Sequence, residues 1–339
     1  METPSGLHLR LPSAIQLQIL HEETAGKRNN AMPIQEAKYI WRNGEMIPWA
    51  EATTHVLTHA IHYGSSVFEG MRAYNTKHKG VCVFRNREHI ERLFFSARVY
   101  RIDMSKYSVD QIMQVCKDVV RENGLESAYI RPVAYLGYGE MGPYSQKVKS
   151  ELAVAAFAWG AYLGDDGLTN GIDVSVSSWR RNAPGTVPAG VKAGGNYLSS
   201  RLIGMEARDA GFEEGIGLAH DGTVSEGAGE NLFVVLNGRI ITPPAASSIL
   251  SGITRDTVMT LAKKAGYEVV EQSIPREMLY AADEIFLTGT AAEITPVRSV
   301  DRLPVGKGNR PATSQIQDMF FGIFSGETDD EWGWLDPVA

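Results

Sequence analysis

Three dipeptides constrain this chain most: Asn43-Gly44, Asp221-Gly222 and Asn237-Gly238, each set between short apolar runs. Such pairs tolerate the positive φ angles of a tight hairpin turn, so each marks two antiparallel strands. "AKYIWRNGEMIPW" is therefore a hairpin, while "EGIGLAHDGTVSEG" and "ENLFVVLNGRIITP" open a meander in the second half. Between them, "NREHIERLFFSARVYRI" carries Ile90, Leu93, Phe94 and Ala97 at helical spacing. "SVDQIMQVCKDVVRENG" is a second helix, with Ser108 as N-cap and Gly124 at its end. "AYIRPVAYLGYG" and "ELAVAAFAWGAYL" read as strands, and further helices are expected over 196–210 and 254–265. The fold class is α/β with α+β character. Residues 1–36 read as a mobile N-terminal extension, 37–155 as a small α/β domain, 156–167 as a linker and 168–339 as a larger domain.

The totals exclude several function classes. A net charge of −7 gives no electrostatic reason to expect nucleic acid or an anionic membrane as partner. The two cysteines, Cys82 and Cys116, have no zinc-ligand spacing and fit a reducing compartment. No apolar run approaches the roughly 20 residues of a spanning helix. "LRLPSAIQLQIL" is broken by Pro12, Gln16 and Gln18 and does not read as a secretory signal. A cytoplasmic protein is expected.

Two motif matches lack their context. "GYGEMG" over 137–142 fits G-x-G-x-x-G, but Pro143-Tyr144-Ser145 follows where a dinucleotide site needs a helix to open, so it reads as a flexible loop. His55, His59 and His62 would share a helix face, yet no acidic or sulfur ligand lies beside them; they read as structural histidines, and no metal site is expected.

Lys192 in "AGVKAGGNYLSS" has only small, uncharged neighbours, an odd place for a structural ammonium group. "SGITRDTVMTLAKKAG" sets Thr254 as N-cap of a helix closed by Gly266, which serves either as an ordinary capped helix or as an anion site built from free N–H groups. "TGTAAEITP" is a turn able to present backbone amides, and "SEGAGENLF" sets Glu226 beside glycines that permit close approach of another group. Taken alone, Phe68, Tyr63, Tyr129, Trp159 and Tyr162 would be core aromatics, and Arg131 a surface ion-pair residue.

These segments, with "HYGSSVFEGMR", "FRNREHIERL", "AYIRP" and "FFGIFSGETDDEWGWLD", resemble the branched-chain amino acid aminotransferases, class IV enzymes of the fold-type IV pyridoxal phosphate group. The resemblance runs from about residue 37 to the end. It implies two α/β domains with pyridoxal 5'-phosphate between them, and a homodimer, with a higher assembly of dimers as a further option. By similarity, Lys192 is the catalytic lysine that bonds the cofactor, and its uncharged surroundings suit an amine of lowered pKa. Glu226 pairs with the pyridine nitrogen, Tyr197 approaches the ring's phenolic oxygen and Leu250 packs on the ring face. Arg92, the Ile253–Thr254 amides and Thr290 take the phosphate.

For substrates, the resemblance implies an aromatic pocket of Phe68, Tyr63, Tyr129, Trp159 and Tyr162 for leucine, isoleucine and valine. Arg131 receives glutamate's distal carboxylate, and the Thr290–Ala291 amides take the α-carboxylate. The implied reaction exchanges amino groups between these amino acids and 2-oxoglutarate, a step of amino-acid biosynthesis. D-amino acid or (R)-amine transamination on the same fold is the alternative. Ala158 departs from the family's proline before the linker tryptophan, and the 137–147 loop carries no residue over.

Overall fold

Two sheets result from these signals, the first antiparallel and the second mixed. The computed structural model describes residues 34–159 and 164–339, and expectations placed on residues 1–33 and 160–163, Tyr162 included, lie outside them. The first sheet takes β1 (Tyr39–Arg42), β2 (Glu45–Pro48), β3 (Ser66–Phe68), β4 (Met71–Thr76), β5 (Gly80–Phe84), β6 (Ala128–Leu136) and β7 (Ser150–Phe157). The second takes β8 (Ile172–Arg180), β9 (Glu214–Leu218), β10 (Val224–Gly227), β11 (Asn231–Leu236), β12 (Arg239–Thr242), β13 (Glu268–Glu271), β14 (Glu284–Gly289), β15 (Glu293–Val300) and β16 (Leu303–Pro304). The last strand, β17 (Leu335–Pro337), returns to the first sheet and pairs antiparallel with β5.

Asn43-Gly44 and Asn237-Gly238 close the β1–β2 and β11–β12 hairpins with positive φ at both residues. The third turn differs. Only Gly222 takes a positive φ, and the Asp221 carboxylate accepts hydrogen bonds from the Thr223 amide and hydroxyl. Ser108 caps the helix Val109–Glu122 in a reciprocal capping box with Gln111. The other expected helices run over Asn86–Val99, Tyr197–Asp209 and Ile253–Lys264, the last with Gly252 rather than Thr254 as its N-cap.

Apolar spacing on the helices Asn86–Val99 and Val109–Glu122 buries Ile90, Leu93, Ile112 and Val119 in the first sheet's core. Helices Ile253–Lys264 and Pro311–Ser325 pack Val258, Leu261, Ile316 and Phe320 against the stacked pair Phe233 and Phe286.

A break in the first sheet prepares the site. β3 and β4 both pair with β6, and the two residues between them, Glu69 and Gly70, fall opposite Arg131 and Pro132. Proline has no amide proton for a ladder, so pairing is interrupted there. Gly70 leaves room here for the Tyr129 hydroxyl, which a Cβ at this position would displace.

Candidate active site

Lys192 belongs to the second half of the chain but is held by the first. The Phe68 amide donates to the Lys192 carbonyl at 3.0 Å, Val67 bridges Ala193, and the Lys192 amide donates to the buried Ser96 hydroxyl at 3.3 Å. The Lys192 Nζ donates to the Tyr197 hydroxyl at 2.8 Å and stands 5.1 Å from the Phe68 ring centre.

Glu226, at the end of the β9–β10 hairpin, is buried with three donors around it. Arg181 Nη2 reaches Oε1 at 2.7 Å; Asn231 Nδ2 and the Leu250 amide reach Oε2 at 3.0 and 3.1 Å. Burial pushes this carboxyl above its usual value, and Arg181, the Leu250 amide and Lys192 pull against that rise. Asn231 Nδ2 also donates to the Leu250 carbonyl, which fixes the loop that brings Leu250 to the cavity.

The next residue, Ser251, joins Arg92 to the same loop. Arg92 Nη1 donates to the Ser251 carbonyl at 2.9 Å, while Nε and Nη2 grip the Glu69 carboxylate at 2.7 and 2.8 Å. Buried His89 lies 2.7 Å from the same carboxylate. Burial alone would raise Glu69, but the Arg92 and His89 neighbours outweigh it and hold the carboxyl well below its usual range. The guanidinium therefore stands fixed beside Gly252 and the start of the helix Ile253–Lys264, with N–H capacity left for an anion.

One cavity of about 250 Å³ collects Lys192, Arg92, Tyr197, Glu226, Leu250, Ile253, Thr254, Thr290, Ala291, Phe68, Tyr129, Arg131 and Trp159. Tyr129, Phe157 and Trp159 form an aromatic wall with ring centres 5.2–5.7 Å apart. Arg131 lies 4.7 Å from the Phe68 ring centre and 5.1 Å from that of Tyr129, and donates to the Tyr129 hydroxyl at 2.9 Å. Its Nε is buried with no hydrogen-bond partner among the described residues. This is the environment of a ligand-facing guanidinium rather than of a surface ion pair.

Tyr63 does not line this cavity of the single chain: its helix His59–Tyr63 closes at left-handed Gly64 and leaves the ring 42% exposed, against His59 and His62. The histidines are structural: His59 bridges Ser65 and the Gly142 carbonyl, and His62 lies 2.9 Å from the Val56 carbonyl.

Sequence reasoning missed Arg181, Asn231, Glu69 and His89. Asn231 and Glu69 stand inside "SEGAGENLF" and "FEGMR", and His89 sits one helical turn before Arg92, a spacing that puts both on one face. Arg181 had only the "WRR" at the end of a strand to mark it.

The Amino-transferase class IV family matches residues 66–300. The branched-chain-amino-acid aminotransferase of Salmonella typhimurium is 56% identical over 309 residues, covering 91% of this chain and 99% of that protein. The chain belongs to the class IV aminotransferases. Among solved structures, the branched-chain amino acid aminotransferase of Escherichia coli superposes on it with a TM-score of 0.88 at 56% identity, covering 90% of this chain and all of that one. The T.th. branched-chain amino acid aminotransferase complexed with N-(5'-phosphopyridoxyl)-L-glutamate gives 0.84 at 42% identity, with 90% and 99% covered.

Pyridoxal 5'-phosphate, the cofactor of this class, fits the polar groups present. They comprise a fixed guanidinium beside a helix start, a buried carboxylate and a primary amine. Thr288 Oγ1, buried in the cavity wall without a partner among the described residues, is the kind of orphan that a bound ligand satisfies.

Proposed function

We propose that this class IV aminotransferase exchanges amino groups between leucine, isoleucine or valine and 2-oxoglutarate, giving branched-chain 2-oxo acids and L-glutamate. The observation that carries the reading is Arg131, a guanidinium with a buried, unpartnered Nε set among aromatic rings of the same cavity as Lys192 and Glu226. Aromatic walls suit a branched aliphatic side chain, and the guanidinium suits the distal carboxylate of glutamate. The glutamate conjugate in the complex of the 42% identical relative supports the second half.

Arg92 and the Ile253–Thr254 amides would bind the cofactor phosphate, with Thr290 as a further contact. Glu226, whose charge Arg181 favours against burial, would hold the proton on the ring nitrogen. When bound, the cofactor supplies an aldehyde that accepts the amino group and a ring that draws electrons from the substrate's Cα. Lys192 Nζ is the amine that would hold that aldehyde, and the free amine would serve as the base for the Cα proton. The Tyr197 hydroxyl holds the amine in place, at 2.8 Å. Phe68, Tyr129 and Trp159 keep water from the reacting carbon, and the Thr290–Ala291 amides would take the α-carboxylate.

We also infer a cytoplasmic, biosynthetic homodimer. No helix among the described residues is long and apolar enough to cross a membrane. Val56, Leu57, Ile61 and Tyr63 are exposed together on one short segment, which supports a partner surface there.

A donor panel with 2-oxoglutarate as acceptor tests the reading. L-Leucine, L-isoleucine and L-valine are expected to lead, and a preference for D-alanine would overturn it. Arg131→Met is expected to raise KM for 2-oxoglutarate by about thirty-fold or more while leaving that for leucine within a few-fold. Borohydride should leave a pyridoxyl adduct on Lys192; an adduct on another lysine would sink the mechanism.

A further inference from the structure

The turn Thr290–Ala292, between β14 and β15, lines the cavity and is closed by the pair Gly289 and Glu293. Glu293 has φ +53°, a left-handed conformation that glycine or asparagine normally takes. Its side chain is buried and crosses to the first sheet. Arg72 Nη1 reaches Glu293 Oε1 at 2.6 Å, and the Tyr74 hydroxyl donates to the same oxygen at 2.9 Å. Both partners stand on β4, and Arg72 is registered opposite Tyr129 of β6, whose ring belongs to the aromatic wall. Tyr74 is itself fixed, stacked on Phe324 with ring centres 3.8 Å apart. Burial and the Glu293 carboxylate push the Tyr74 phenol well above its usual value, so it remains a donor across the working pH range.

A strained residue persists where its surroundings over-determine it, and such strain collects at ligand clamps. Here the surroundings are a buried ion pair and a phenol from the opposite sheet. We propose that Glu293, held by Arg72 and Tyr74, is a positioning residue that sets the Thr290–Ala291 turn to receive the substrate's α-carboxylate. This rests on the reading of that turn given above. The β4–β6 pair then sets the distance between the side-chain wall and the carboxylate turn, and so measures the amino acid along its length.

The test uses the holoenzyme with two variants. Tyr74→Phe removes one hydrogen bond. The double variant Arg72→Met with Glu293→Gln removes both charges, so no unpaired buried ion threatens folding. The probes are 4-methylpentanoate, a branched carboxylate without an amino group, and its neutral amide, titrated by the change in cofactor absorbance. KM and kcat for L-leucine and the Tm accompany each titration. The expected result is a carboxylate Kd and leucine KM raised about twofold in Tyr74→Phe and at least fivefold in the double variant. The amide Kd stays unchanged, and kcat stays within twofold. A wild-type preference for carboxylate that survives intact in both variants would overturn the inference, as would a fall in Tm with Kd and KM unmoved. A wild type that binds acid and amide alike would overturn the reading of the turn, and the inference with it.

Discussion

Arg181 decides how much of Glu226's charge survives burial. The carboxyl is raised by its burial, and the guanidinium at 2.7 Å is the strongest force opposing that rise. Removing the cation lets Glu226 climb further, so it protonates at a higher pH and loses its hold on a ring-nitrogen proton. Arg181→Met should therefore move the acid limb of the kcat/KM profile to higher pH and weaken cofactor binding by about tenfold, near 1.4 kcal/mol. An unmoved acid limb would leave Arg181 a packing residue. His89 makes a second residue-scale prediction. Burial, with the Arg92 guanidinium nearby, holds its imidazole below the usual value despite Glu69. The unfolded chain takes up a proton near pH 6.5, where the folded one does not, so stability is lost as pH falls below that value. Denaturant unfolding should show a slope of up to about 1.4 kcal/mol per pH unit in that window, and His89→Gln should remove it. Lys192 and Glu226 stood out in the sequence through their small or glycine neighbours, Arg92 only through the family resemblance, and the fold brings all three to one cavity. Arg181 was not legible, because nothing local says which way the end of a strand points its guanidinium.

At the scale of elements, local chemistry read well where it is self-contained. The Ser108–Gln111 capping box and the two Asn-Gly hairpins depend only on neighbours in sequence, and they form where the residues imply. The Asp221-Gly222 turn differs because the aspartate carboxylate recruits Thr223 instead of yielding to a tight two-residue turn. Strand order was not legible: β8 pairs in parallel with β15, far along the chain, through burial that no local pattern records. The start of the helix Ile253–Lys264 is where element and site meet. Its N-cap, Gly252, leaves no space for a side chain, because a Cβ would collide with Asn231 Oδ1. Asn231 also holds Glu226 and the Leu250 carbonyl, so the collision would be felt by the carboxylate as well as by the helix start. Gly252→Ala should lower the affinity for pyridoxal phosphate by about tenfold or more while far-ultraviolet circular dichroism stays unchanged. Equal affinity in the two proteins would mean that the loop relaxes without disturbing the cradle.

Across the whole molecule, the cavity depends on keeping segments far apart in sequence in register, and the C-terminal strand does part of that. β17 pairs with β5, and Trp334 just before it is buried against Phe84 with ring centres 5.9 Å apart. The Trp334 carbonyl accepts from the Arg85 amide at 2.7 Å, and the Arg85 guanidinium lies 5.0 Å from the indole. That guanidinium continues into the second half, donating to the Ile253 carbonyl, Asp256 and Thr257 in the first turn of the helix Ile253–Lys264. Arg85 also precedes the helix Asn86–Val99, which carries Arg92. One tryptophan thus braces the residue that ties the Arg92 helix to the helix start proposed to take the phosphate. Trp334→Ala should cost about 3–5 kcal/mol of stability by leaving a cavity. Below the melting transition it should also weaken the cofactor and free phosphate alike, since both helices of the cradle lose their common brace. Phosphate protection of the apoprotein in thermal melts measures this without turnover. A variant that loses stability but keeps the wild-type phosphate shift would show that the brace serves the core alone and that the cradle is set locally by Glu69 and Ser251.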